Sequence, residues 1–176
     1  DARRSRVVGV LDRFFAANRD ELHTMITKPY GFYAGGLSCG IKPSGSPDLA
    51  IVVSDRPCAA AGVFTRNRFP GAPVHVSKRH VRGGRAQAIV CNSGISNVGT
   101  GDRGIADAEA MCDAVAQAIR RHADFTQTSL RRTDVLPAST GIIGRPLPMD
   151  KIHAGITKLA PTLARGDEAD AAAARA

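Results

Sequence analysis

Continuous apolar runs mark the first half of the chain and predict buried β-strands. The clearest runs are 48–54, where every residue from Leu49 to Val53 is apolar, and 86–92. A strand buried on both faces needs no alternation of polar and apolar residues. Less continuous or shorter runs predict four further strands, at 31–42, 59–65, 74–77 and 134–138. Glycines interrupt the first of these, which indicates a bulge or a close backbone approach.

Apolar positions follow a helical period in the second half of the chain. A helix capped by Asp102 is predicted from about 104 to 121, a second over 148–159, and a third from Asp167 onward. The first helix has one apolar stripe, formed by Ala108, Met111, Cys112, Val115, Ala118 and Ile119. The second directs inward Met149, Ile152, Ile156 and Leu159. Across strands and helices, the residues expected in the core include Leu49, Ile51, Val53, Ile89 and Met111.

This order of elements predicts the fold class and the domain organisation. Strands first and helices interspersed later are typical of an α+β fold with a layered, sandwich-like α/β arrangement. The 176 residues are enough for one domain with a real core. We divide the chain into a helical N-terminal extension, 1–30, and a domain, 31–176. The extension is basic with apolar residues at helical spacing, which favours a surface helix over a targeting remnant or an upstream extension.

The charge balance is basic, with a formal net charge of +8, and such a balance can indicate a polyanionic partner. The arginines are scattered, however, and the aromatic residues, 5% of the chain, do not interleave with them. Nucleic-acid surfaces use interleaved aromatic side chains as stacking platforms, so we expect no nucleic-acid partner. We expect no membrane association either, because no run approaches the roughly 18 apolar residues of a spanning helix.

The cysteines and histidines argue against metal binding. The four cysteines, Cys39, Cys58, Cys91 and Cys112, have apolar neighbours and form no CxxC pair. They predict buried, reduced thiols in a cytoplasmic protein. The histidines are not spaced three or four residues apart and have no acidic cluster beside them, so we expect no metal site.

Two glycine-containing loops suggest functional interpretations. Residues 99–104 have the spacing GxGxxG of a dinucleotide-binding turn. They do not directly follow a predicted strand, so a glycine-rich helix start, able to bind an anion, is the simpler interpretation. Asn92-Ser93-Gly94 does follow a strand at once, and it is either a tight surface turn or a wall of an active site.

The segment Ser139-Thr140-Gly141 is the candidate for catalysis. It ends a short apolar run and precedes a helix start bounded by prolines. Such a turn can direct a hydroxyl and a backbone N–H to one point, the geometry of an oxyanion hole. An ordinary turn from strand to loop has the same pattern, so spacing alone leaves both interpretations open.

Five blocks, in the same order, resemble the ornithine acetyltransferase family, also called glutamate N-acetyltransferase. The resemblance extends over 31–176. The blocks are Gly31 to Lys42, Asp48 to Asp55, Ala60 to Asn67 with Ala72-Pro73-Val74, Asn92-Ser93-Gly94 with Thr100-Gly101, and Ala138 to Gly144 with Leu147 to Ile152.

The resemblance implies a self-processing enzyme with a fold of the N-terminal-nucleophile type. Its precursor is cut before a threonine into an α and a β chain that remain together, as an α2β2 tetramer. The new N-terminal threonine takes the acetyl group of N-acetylornithine and passes it to glutamate, in a ping-pong reaction of arginine biosynthesis. Thr140 and Gly141 match the residues that stabilise the oxyanion. No cofactor is implied, although acetyl-CoA is an alternative acetyl donor.

The chain departs from the family pattern in two places. Ile95 stands where the family usually has a second asparagine, which puts a polar role of that loop in doubt. The family's nucleophilic threonine comes after the alanine-rich helix, so we interpret this chain as the α portion, inactive by itself. Two other functions stay open: a hydrolase such as an aminopeptidase on a related self-processing scaffold, and a non-catalytic interaction module.

Overall fold

A computed structural model describes residues 26–122, 125 and 129–176. The helix predicted within 1–30 falls almost wholly on residues outside these ranges, and 26–30 form bends and a turn. The strands are β1 (Phe32–Leu37), β2 (Leu49–Ala59), β3 (Arg85–Asn92) and β4 (Val135–Ser139). The α-helices are α1 (Ala72–His80), α2 (Gly101–Arg120), α3 (Met149–Leu159) and α4 (Asp167–Arg175).

The four strands form one mixed sheet in chain order, β1-β2-β3-β4. β2 runs antiparallel to both β1 and β3, whereas β4 runs parallel to β3, and Asn92 pairs with Ser139 at its end. The connection from β3 to β4 contains α2, as a parallel pair requires. The parallel pairing therefore brings the segments that follow β3 and β4 to the same edge of the sheet.

The two faces of the sheet differ in how much helix covers them. Leu49, Ile51, Val53 and Val90 point to one face and are fully buried together with residues of α2 and α3. On the other face α4 packs over β1, so closely that a Cβ on Gly36 would overlap the carbonyl of Ala172. The β3 and β4 end of this second face carries less cover, and Ile89 there is 44% exposed.

The structure corrects several sequence predictions. Residues 60–69 form no strand, and 72–80 are helical although Val74 and Val76 alternate with polar residues. Pro73 lies in the first turn of α1, where its fixed φ favours a helix start. Ile89 is not in the core, because it points to the less covered face. The N-cap of α2 is Thr100 and not Asp102, which is the second residue of the helix.

Other predictions are confirmed, some with altered limits. Leu49, Ile51, Val53 and Met111 are fully buried, and α2, α3 and α4 lie where the helical periods place them. The first strand ends at Leu37 rather than at residue 42. The prediction that the cysteines are buried is wrong for three of the four: all are free and Cys112 is buried, but Cys39, Cys58 and Cys91 are only partly buried.

Of the helices in the described part of the chain, none has both the length and the apolarity needed to cross a bilayer.

Candidate functional site

Thr140 and Gly141 lie on an exposed segment that extends β4 beyond its last strand residue, Ser139. The segment remains bonded to the chain that follows β3. Thr140 N–H donates to the carbonyl of Asn92 over 3.0 Å, and Ile142 N–H donates to that of Gly94 over 3.0 Å. The backbone on both sides of Gly141 is thus fixed to the same neighbour.

Gly141 N–H takes no part in these hydrogen bonds. In extended backbone, an N–H between two that face one neighbour points the other way. Among the residues that the structure describes, this N–H donates to no acceptor. Its position just after the strand matches the sequence prediction; that it faces a cleft and stabilises an oxyanion stays a prediction.

The backbone at position 141 requires glycine for two reasons. Its φ is +127°, a region that L side chains rarely adopt. A Cβ would also lie 2.7 Å from the backbone nitrogen of Ile95 and even closer to the carbonyl of Gly94. Gly141 and Gly94 therefore meet backbone to backbone, which holds the unbonded N–H in a fixed place.

The outer edge of β4 is covered by α1 up to this segment. Ser77 Oγ donates to the carbonyl of Pro137 over 2.8 Å, and His80 Nδ1 lies 2.7 Å from the carbonyl of Val135. Because a carbonyl only accepts, His80 carries its proton on Nδ1. Pro137 has no N–H of its own to leave unpaired. The donors left on this edge thus lie beyond Pro137, where Gly141 is found.

A buried amide joins the ends of β3 and β4. Asn92 is 2% exposed. Its Oδ1 accepts from Ser139 Oγ over 2.6 Å, and its Nδ2 donates to the carbonyl of Ile95 over 2.9 Å. The polar contact at position 95 is made by the backbone, so the loop keeps it although the side chain is an isoleucine. The sequence placed Asn92 and Ser139 in separate loops and did not predict their contact.

Asp48 stabilises the segment that packs against Gly94 at this end of the sheet. A Cβ on Gly94 would lie 2.9 Å from Ile41, so the 39–42 segment packs directly against this glycine. The Asp48 carboxylate holds that segment by accepting three backbone N–H groups over 2.6–2.9 Å, those of Cys39, Ile41 and Lys42. Burial by itself would raise the pKa of Asp48, but these donors outweigh it and lower the pKa.

We expect Asp48→Asn to weaken the fold and to flatten its response to acid. An amide has one acceptor oxygen, so at pH 7 the variant should lose roughly 1–3 kcal/mol of unfolding free energy. A carboxylate with a lowered folded pKa stabilises the fold above its unfolded pKa, and this stabilisation disappears as the pH falls through the folded value. The parent should therefore lose stability more steeply below about pH 4 than the variant.

Urea denaturation between pH 2 and pH 7 measures this difference. Asp102→Asn, at an exposed carboxylate in the first turn of α2, is the control for loss of a charge and should cost less, at most about 1 kcal/mol at pH 7. An Asp48→Asn variant with the parent's full acid response would contradict the assignment.

The glycine-rich segment 99–104 consists of Gly99, the N-cap Thr100 and the first four residues of α2, and it does not directly follow a strand. β3 ends at Asn92, and irregular chain fills the interval. Gly99 and Gly101 have positive φ, as expected for a turn before a helix. The loop borders a cavity of about 450 Å³ whose lining includes Arg68 and His75. This is not the direct strand-to-helix turn of a dinucleotide site.

Comparison with known proteins gives consistent matches. The model of the ArgJ family matches residues 33–176. A curated relative from Mycobacterium leprae, an arginine biosynthesis bifunctional protein ArgJ, is 44% identical over 142 residues, which are 80% of this chain and 34% of the relative. A second, from Dehalococcoides mccartyi, is 43% identical over 145 residues, 81% of this chain and 34% of the relative. The chain spans about a third of the length of these relatives.

Two solved structures match the fold. Ornithine acetyltransferase from Mycobacterium tuberculosis, solved in complex with ornithine, matches with a TM-score of 0.82 and 40% identity, covering 87% of this chain and 78% of that one. The ArgJ protein from Bacillus halodurans matches with a TM-score of 0.71 and 33% identity, covering 84% and 70%. These matches confirm the α+β fold predicted from the sequence.

Proposed function

Because the chain belongs to the ArgJ family, we propose that it supplies the oxyanion-stabilising part of an enzyme that transfers acetyl groups from N-acetylornithine to glutamate. The observation that carries this proposal is the unbonded N–H of Gly141, held in place beside Thr140. Such a donor is costly to leave without an acceptor once a partner covers it, unless the reaction provides the acceptor. We place the reaction in arginine biosynthesis and in the cytoplasm.

The reaction has two halves that use the same donors. In the first, a threonine hydroxyl of the partner chain attacks the acetyl carbonyl of N-acetylornithine, ornithine leaves, and the threonine carries the acetyl group. In the second, the amine of glutamate attacks this ester and releases the threonine. Each attack forms a tetrahedral oxyanion, and the Thr140 hydroxyl and the Gly141 N–H donate hydrogen bonds to it. Neither half needs a cofactor; acetyl-CoA would serve as an alternative donor in the first.

The partner chain in this proposal is the remainder of the same precursor, in an α2β2 assembly. Coverage of the mycobacterial proteins supports a cleaved precursor: this chain spans 36% of the curated M. tuberculosis relative but 78% of the solved M. tuberculosis chain. That solved chain is therefore about half as long as the curated protein. The exposed apolar residues Ile89, Ile142 and Ile143 lie at β3 and after β4, where such a partner would bury them.

A chimera tests the function. Residues 31–176 replace the matching segment of the M. tuberculosis relative, and ornithine release from N-acetylornithine is measured with and without glutamate. We expect self-cleavage, a burst of about one ornithine per site without glutamate, and continued release only with glutamate, with acetylglutamate as product. The isolated chain should release none. Continued release beyond this burst without glutamate would instead indicate a hydrolase. A cleaved, assembled chimera with neither reaction would contradict both the acetyltransferase function and the hydrolase function.

The partner surface can be tested in the same chimera. Ile89→Lys places a charge on the exposed sheet face and should prevent the two chains from purifying together. Gln117→Lys adds the same charge on the exposed side of α2 and should leave their association intact. Full association of Ile89→Lys would show that the partner lies elsewhere.

A further inference from the structure

We propose that Asn92 is a positioning residue for this reaction: its buried amide fixes the place of the Gly141 N–H and the Thr140 hydroxyl without touching substrate. The inference rests on the proposed function and deepens it. It assigns a role to the side chain of Asn92, whose Asn-Ser-Gly segment the sequence leaves open between a tight surface turn and a wall of an active site.

Both ends of the Asn92 amide are used, and each connects a different piece of the site. Oδ1 accepts from the hydroxyl of Ser139, the residue directly before Thr140. Nδ2 donates to the carbonyl of Ile95 and so closes the turn that contains Gly94. A buried amide of this kind is held in one orientation, because a rotation that exchanges its oxygen and nitrogen would put Oδ1 against the carbonyl of Ile95, two acceptors facing each other.

The turn and β4 meet at Gly141. The Asn92 carbonyl accepts from Thr140 N–H, and the Gly94 carbonyl accepts from Ile142 N–H, so Gly141 is bonded to this turn on either side. Gly94 also presses against the Gly141 backbone. Any shift of the turn relative to β4 therefore moves the Gly141 N–H. The Asn92 amide opposes that shift, since it is hydrogen-bonded to both parts.

Displacement of the two oxyanion donors should affect kcat more than KM. Oxyanion donors strengthen their hydrogen bonds in the transition state, so a misplaced donor lowers kcat and changes KM little. A side chain that only stabilised the fold would lower the amount of folded enzyme instead, and would leave the kcat of the folded fraction unchanged. The two roles are thus separable by kinetics.

The test uses the cleaved, assembled chimera described above. Asn92→Asp keeps the acceptor for Ser139 but puts a carboxylate oxygen against the carbonyl of Ile95. Ser139→Ala removes the hydroxyl, and Ser139→Thr retains it. We expect kcat to fall roughly 10- to 100-fold in Asn92→Asp and about 10-fold in Ser139→Ala, with KM within about 2-fold and with Ser139→Thr close to the parent.

Gln87→Glu is the matched control for the amide-to-carboxylate change. Gln87 lies on the same strand, is buried, and donates from Nε2 to the carbonyl of Ser54, away from Gly141. It should lower the melting temperature without lowering kcat. Asn92→Asp together with Ser139→Ala should lose less than the product of the two single losses, because both act on one network.

The outcomes separate this inference from the function on which it rests. An unmodified chimera without acetyl transfer contradicts the proposed function. An active chimera in which Asn92→Asp or Ser139→Ala keeps the parent's kcat overturns the positioning role, as does a kcat loss of the same size in Gln87→Glu. Should Asn92→Asp fail to assemble, the comparison of Ser139→Ala with Ser139→Thr decides: equal kcat values in the two overturn the inference.

Discussion

Replacing Gly141 by alanine is expected to destabilise the folded protein strongly. The backbone there has a φ of +127°, which costs an L residue roughly 1–3 kcal/mol. The added Cβ would overlap the carbonyl of Gly94, and a backbone atom cannot rotate aside as a side chain can. The two segments must separate, which strains the hydrogen bonds of Thr140 and Ile142. Together these effects should lower the unfolding free energy by about 3 kcal/mol or more.

Gly144→Ala is the matched control for this prediction. Gly144 lies in the same loop and also has a positive φ, +79°, but a Cβ there would have nothing within 4 Å. Its substitution should cost only the conformational strain, about 1 kcal/mol. Urea denaturation of the two variants and the parent measures both values. Equal losses in the two variants would show that the contact of Gly141 with Gly94 has no energetic weight.

The second large effect is expected in the chimera that carries Thr140→Val. Valine keeps the branched shape of threonine and removes only the hydroxyl, so the fold should be preserved. If the hydroxyl stabilises the oxyanion, kcat should fall about 100-fold in both halves of the reaction, with KM nearly unchanged. Single-turnover measurements of threonine acetylation and of transfer to glutamate separate the halves.

Thr140→Ser supplies the control because it keeps the hydroxyl and loses a methyl group. It should retain most of the parent's kcat. The assignment of Thr140 would be wrong if the valine variant turned over at the parent's rate, or if the serine variant lost as much activity as the valine variant.

The sequence predicted those parts of the fold that depend on local pattern. Continuous apolar runs placed β2 and β3, and the helical stripe placed α2. Alternation failed at Val74 and Val76, because a short helix can place one of two such residues on its buried side, and Val76 alone is buried here. The prediction that Ile89 is buried failed because helices distant in sequence determine how much of each sheet face is covered. A local apolar run does not reveal this.

The candidate site also contains residues that the sequence predicted and supporting contacts that it did not. Thr140 and Gly141 stand next to each other in a recognisable turn, so the sequence located them. The contact of Asn92 with Ser139 spans 47 positions and exists only because β4 joins β3 in a parallel register. Asp48 precedes an apolar run as an ordinary polar residue, and nothing local indicates that its carboxylate organises residues 39–42. The Asn92 contact depends on long-range strand pairing, whereas the Asp48 contacts are local hydrogen bonds from the backbone to a side chain. Hydrophobic periodicity carries no information about either.

The cover that α1 places on β4 has a consequence for aggregation. An exposed strand edge is a template on which another extended chain can add itself, and fibres grow in this way. Here the carbonyls of Val135 and Pro137 are already occupied, and Pro137 offers no donor. A foreign strand therefore finds no continuous row of partners along β4. The edge is closed to polymerisation along most of its length and open only at its tip, so protection from self-assembly and access to Gly141 come from one arrangement.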